Sequence, residues 1–150
     1  MKGPVICGVD ESNVTRGAVE VARDLAERYE LPLVYASVIE SDEDGEGAEQ
    51  RLHEAAAPGR AEIVVERGHP SDGLVRLARD REASFLVLGN HGPRSSLLGS
   101  ISADVARRAS CPVVVVPTTA ARRRGASASD TGVEGGIVRF AIGHGARVVA

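Results

Sequence analysis

Phe85-Leu86-Val87-Leu88-Gly89-Asn90-His91-Gly92-Pro93-Arg94-Ser95-Ser96-Leu97-Leu98-Gly99-Ser100 is the stretch that decides the fold. Phe85 to Leu88 is apolar throughout and has the length of a strand covered on both faces. It runs into a glycine turn at Gly89 and Gly92. Gly99-Ser100 then opens onto Ile101, Val105 and Ala109, whose i, i+4, i+8 spacing is one face of a helix. Cys111-Pro112 stops that helix, and Val113 to Val116 is another wholly apolar run. Strand, helix and strand in this order form a βαβ unit.

The same grammar extends towards the amino end. Val5 to Val9 reads as a buried strand closed by Asp10. Ala18, Val21, Ala22, Leu25, Ala26 and Tyr29 form a helical stripe, with Ser12, Asn13 or Thr15 as its cap. Leu33 to Ile39 is the second strand. The acidic, glycine-bearing Ser41 to Gly47 reads as a loop, and Ala48 to Ala57 as a weak helix stopped by Pro58-Gly59. Charged residues interrupt Ala61 to Glu66, so this third strand belongs near a sheet edge. Pro70 starts a helix carrying Leu74, Val75, Leu77 and Ala78. Five short apolar strands alternating with helices predict a five-stranded parallel sheet in a three-layer α/β/α sandwich.

Two regions follow. Residues 1–117 form the domain, and 118–150 form a glycine- and arginine-rich tail that docks or exchanges between copies. Thr118 to Val133, with Arg122-Arg123-Arg124, reads as mobile linker, while Ile137 to Ile142 and Ala146 to Ala150 have the composition of short docking strands.

Composition limits the function. Eighteen basic and 21 acidic residues leave a net charge of −3, and Trp is absent, so nucleic acid is not an expected partner. No apolar run approaches the roughly 20 residues of a membrane span, and no secretory leader is expected. Cys7 and Cys111 lack metal or disulfide spacing, which fits a reducing cytoplasm. Lys2 is the sole lysine, which removes a P-loop. Gly8-Val9-Asp10-Glu11 is not the GxGxxG of a dinucleotide fold, and no acceptor Asp ends the third strand as in a receiver domain. No metal ligand set, Ser/His/Asp order or paired carboxylate stands out, so no catalytic residue is assigned. His53, His69 and His144 read as surface residues, leaving His91 as the histidine of the crevice.

In an open α/β sheet ligands bind beyond the carboxyl ends of the strands, where strand order reverses. With the first and fourth strands as neighbours, Asp10 meets the Gly89 to Gly92 turn there. Gly99-Ser100 supplies a helix amino terminus, whose unpartnered amides and dipole suit a phosphate, with Ser100 and Ser102 as hydroxyl donors.

At these residues the chain resembles the universal stress proteins. The matching pieces are Leu86 to Gly92, Leu97-Leu98-Gly99-Ser100-Ile101-Ser102, Ala109 to Pro117, Val9-Asp10-Glu11-Ser12 and Gly68-His69-Pro70. Together they cover Val5 to Pro117. The resemblance implies a Rossmann-like, adenine nucleotide alpha hydrolase-like domain and a cytoplasmic stress-response regulator. Its implied ligand is ATP, with or without Mg²⁺, or else ADP or AMP, and any hydrolysis would be very slow. Val9 and Val38 would line the base pocket and Asp10 would face adenine or ribose. Gly89, His91, Gly92, Gly99, Ser100 and Ser102 would surround ribose and phosphates, with Ser12 and Ile101 beside them. It also implies a homodimer paired through Val113–Val116, and a protein partner of unknown identity. One departure stands out: six residues separate Gly92 from Gly99 where the ATP-binding pattern has nine. The competing expectation is a nucleotide-free homologue acting through protein contacts.

Overall fold

The computed structural model describes residues 2–10, 15–40, 45–56, 59–90, 100–117 and 139–142. Their order is β1 (Val5–Gly8), α1 (Thr15–Tyr29), β2 (Leu33–Ile39), α2 (Gly45–Ala56), β3 (Glu62–Arg67), α3 (Pro70–Asp80), β4 (Phe85–Asn90), α4 (Ser100–Arg108), β5 (Pro112–Pro117) and β6 (Arg139–Ile142). The strands lie β3-β2-β1-β4-β5-β6 in one sheet. The first five are mutually parallel, as the apolar runs predict, and β6 adds an antiparallel strand from the tail. The chain winds outward from β1 to β3, then crosses back to β4. Strand order therefore reverses between β1 and β4.

The two faces of the sheet carry separate cores. On one, Val5, Cys7, Tyr35, Val87 and Val114 pack against Ala18, Ala22 and Ala26 of α1 and Leu52 of α2. On the other, Ile6, Val34, Leu86 and Val113 pack against Leu74 and Leu77 of α3 and Val105 of α4. This is the three-layer sandwich. Period-2 alternation makes it work, because neighbours along a strand point into different cores.

Local departures have physical causes. The helix expected from Ala48 begins at Gly45, and Glu46 places a carboxylate in its first turn, where the helix dipole favours it. Tyr29, at the end of the α1 stripe, is largely exposed yet still meets the ring of Phe85 at 5.5 Å between centroids. Charged β3 does lie at the sheet edge, where Glu62 and Glu66 pair with Arg81 and Arg76. Glu11 to Val14, Ala57-Pro58, 118–138 and Ala146 to Ala150 lie outside the described residues. Among the described residues no helix is long and apolar enough to cross a membrane.

Two helices end in the same way. After α1, Leu31 N–H reaches Ala26 C=O at 2.9 Å and Glu30 N–H reaches Glu27 C=O at 3.3 Å. After α3, Ala83 and Glu82 repeat the pattern on Ala78 and Arg79. Both are Schellman closures, which place one residue in the left-handed region. That residue is Glu30 (φ 53°) or Glu82 (φ 48°), where glycine is usual. Left-handed backbone costs a Cβ-bearing residue about 1–2 kcal/mol, and the extra unfolded-state freedom of glycine offsets about half of that. Glu30→Gly is therefore expected to raise stability by roughly 0.5–1 kcal/mol in urea unfolding. A loss of stability would mean that the Glu30 side chain makes a compensating contact.

Candidate functional site

The carboxyl ends of β1 and β4 stand side by side at the point of reversal. Val9 continues beyond β1, its N–H bonded to Ala36 C=O at 2.8 Å, and its side chain is 5% exposed within the α1/α2 core. Asp10 follows as an exposed carboxylate. Across the reversal, Gly89 is half-buried and paired with Val116.

Helix α4 is positioned by two sets of bonds. At its start, the buried Ser102 hydroxyl donates to Gly89 C=O at 3.4 Å, fastening the first turn to the end of β4. Farther along, Arg108 bridges Asp72 of α3 at 2.6 Å and Asp104 at 2.8 Å. Hydrogen bonds from Ser71, Arg108 and Arg107 hold the Asp104 carboxyl well below the usual carboxylate range. The helix is thus tied to α3 and to β4 independently of any ligand.

Its first turn has the electrostatics an anion needs. Ser100, Ile101 and Ser102 lie at the end where backbone N–H groups have no helical partner. The first turn contains no acidic residue, whereas Arg107 and Arg108 occupy the last. Ser100 is exposed. Ile101, expected on the buried stripe with Val105 and Ala109, is 40% exposed instead, because the first turn meets the end of β4 and lies beyond the apolar surface that covers Val105.

Not every expected residue converges here. Val9 and Val38 point to opposite faces of the sheet, Val9 into the α1/α2 core and Val38 against the α3/α4 core. Any pocket they share must straddle the sheet end. Ser102 has its hydroxyl hydrogen engaged by Gly89, which leaves its lone pairs and amide for a ligand. Ser12, His91, Gly92 and Gly99 lie outside the described residues. His53 and His69 are exposed, as expected, with His69 Nδ1 3.0 Å from Ser71 Oγ.

Sequence reasoning missed Gly73. A Cβ there would lie 2.8 Å from both γ-methyls of Val38, so glycine is what lets the start of α3 approach β2 beside the crevice. The available signal was a glycine between Asp72 and Leu74 near the start of an otherwise good helix, a sign of close packing.

A cavity of about 310 Å³ lies at the opposite, amino end of the sheet, lined by Arg23, Leu31, Tyr35, Ala56 and Arg60 among others. Arg23 is committed there to the Tyr35 hydroxyl at 3.0 Å and to Ala55 C=O. The carboxyl ends of α1 and α2 border it, so both helix dipoles disfavour a phosphate. Among the described residues no cluster of His, Cys, Asp and Glu is placed to hold a metal ion.

Comparison with known proteins identifies the family and the fold. A family model described as the universal stress protein family matches residues 43–117. A universal stress protein of Mycobacterium tuberculosis is 32% identical over 140 aligned residues, spanning 77% of this chain and 96% of that protein. One from Bacillus subtilis is 28% identical over 111 residues, spanning 69% and 75%. The crystal structure of a universal stress protein in complex with cAMP superposes with a TM-score of 0.64 at 30% identity, covering 79% of this chain and 99% of that one. The structure of a universal stress protein from Archaeoglobus fulgidus in complex with dAMP shares the fold, with a TM-score of 0.60 at 23% identity over 75% of this chain and 96% of that one.

Proposed function

Because this chain belongs to the universal stress protein family, we propose that it binds an adenine nucleotide at the carboxyl ends of β1 and β4 and acts as a ligand-responsive cytoplasmic regulator. The observation that carries the reading is the first turn of α4. It is exposed at Ser100, free of carboxylates, and fastened by Ser102 to the strand end where the sheet order reverses. The 30%-identical relative in complex with cAMP supports the same ligand class.

ATP is the proposed ligand, with or without Mg²⁺. Phosphate would sit on the α4 amides beside Gly99 and Ser100, and the base between the Val9 and Val38 sides of the sheet end. Asp10 would face adenine or ribose. A single-phosphate nucleotide is the second reading, favoured by the short Gly92–Gly99 segment, which offers fewer amides to β- and γ-phosphates than the nine-residue pattern. The role proposed for the bound nucleotide is that of a signal.

Calorimetric titration with ATP, ADP, AMP and cAMP, each with and without Mg²⁺, tests this directly. Micromolar to submillimolar binding is expected. Ser100→Glu separates binding from folding, because a carboxylate at a helix amino terminus is favourable by about 0.3–1 kcal/mol yet repels phosphate. The variant is expected to melt no lower than wild type and to bind at least about tenfold more weakly. Gly99→Val should weaken binding comparably by blocking close backbone approach. Unchanged affinity in Ser100→Glu removes the α4 site. No binding by wild type favours a homologue that works through protein contacts alone.

A further inference from the structure

Strand β5 carries four consecutive valines, Val113 to Val116, all buried, with β4 on one side. Its other edge is a row of backbone donors and acceptors on an apolar strand, a template for any further strand. In this structure β6 occupies that edge, with Val113 opposite Ala141, Val114 opposite Phe140 and Val115 opposite Arg139.

Three observations mark β6 as a detachable cover. The ladder is only four residues long, and one of its members, Pro112 opposite Ile142, has no N–H to donate. The segment from Pro117 to Arg139 is roughly twenty residues, where antiparallel neighbours need about two to five. The family match stops at residue 117, where β5 ends, and the 32%-identical relative is spanned to 96% by only 77% of this chain. The cover is therefore appended to a domain that is otherwise complete.

We propose that β6 competes with a second copy of the chain for the edge of β5, so that the covered protein is a monomer and the uncovered protein dimerises through Val113–Val116. Two β5 edges related by a two-fold axis pair antiparallel, the sense in which this edge already accepts β6. The tether gives β6 an effective concentration of roughly millimolar at its own edge, so it outcompetes a second copy at ordinary protein concentrations.

Light scattering coupled to size exclusion on the full-length chain tests the competition. Wild type is expected to be monomeric at tens of micromolar. Phe140→Pro with Ala141→Pro, which removes two of the backbone N–H donors of β6, is expected to be dimeric at the same concentration. A second variant pairs Val114→Cys with Phe140→Cys. Native Cys7 and Cys111 are buried and should not compete for the disulfide. Once oxidised, this variant should be linked within one chain and monomeric throughout, while its reduced form self-associates as concentration approaches millimolar. A monomeric proline variant, a disulfide formed between chains, or identical masses for the oxidised and reduced forms would each overturn the proposal. If the proline variant precipitates, the oxidised and reduced comparison decides alone.

Discussion

Raising the pH from 8 to 11 is expected to remove about 3 kcal/mol of folding stability through Cys7 alone. The thiol is 0% exposed at the centre of β1, and burial pushes it from an ordinary value of 9.0 up to about 12. Arg23 opposes this shift and Asp10 adds to it, but loss of solvent dominates. The raised value means that the folded chain keeps this proton where the unfolded chain has lost it. Its contribution is complete below pH 9 and is lost as pH rises towards 12. Cys111, at 6% exposure and raised to about 11 by the same cause, adds a smaller loss in the same direction. Tyr35, also raised chiefly by burial despite its bond from Arg23, adds a further loss above pH 10. Urea midpoints at pH 8, 9.5 and 11 read the sum. Cys7→Ala isolates the first contribution: the variant should start less stable at pH 8, for lost packing, and fall less steeply towards pH 11. Parallel curves for variant and wild type would show that the thiol ionises as easily folded as unfolded.

The sheet was legible because β1, β2, β4 and β5 are buried on both faces. Leu33 to Ile39 is the clearest case, an apolar run whose expected limits match β2 at both ends. The edge position of β3 followed from Glu62 and Glu66, since charge can be carried only where one side of the strand meets water. What was not legible depends on register or on pairing. Nothing in the separate strands shows that Val9 and Val38 face opposite ways; that follows only once Gly8 is seen to lie opposite Ala36, which puts Val9 level with Ser37 and one residue out of phase with Val38. Arg139 to Ile142 falls within Ile137 to Ile142, expected as a short docking strand, but the glycines around it leave no sign of which edge it joins. Its place and its antiparallel sense come from the edge that β5 offers it. Within the candidate site, Ser100 was readable from its place after Gly99. The bond from Ser102 to Gly89 required knowing where the helix lands on the strand end.

Gly73→Ala is expected to destabilise the protein by roughly 1–3 kcal/mol, although alanine is the better helix former by about 1 kcal/mol. The added Cβ would sit 2.8 Å from both γ-methyls of Val38, a separation that real side chains do not tolerate. Val38 cannot rotate out of the way cheaply, because a β-branched side chain in a strand has few rotamers and both of its methyls face α3 in the present one. The strain should therefore move the start of α3 away from β2. Removing the methyls supplies the control. Val38→Ala alone should cost about 1 kcal/mol for a half-buried side chain. In the double variant the helix preference of alanine is expressed and the clash is gone, so its stability should exceed that of Gly73→Ala, a coupling of roughly 1–3 kcal/mol. Additive losses in urea unfolding would show that α3 and β2 adjust independently at this point. The same four proteins also probe the proposed site, because Val38 is the residue assigned to the α3 side of the base pocket. If that assignment holds, Val38→Ala should weaken nucleotide binding whether or not position 73 is glycine, while Gly73→Ala in the presence of Val38 should weaken it through the displaced helix alone. Restoration of affinity in the double variant would separate displacement of α3 from direct contact with the base.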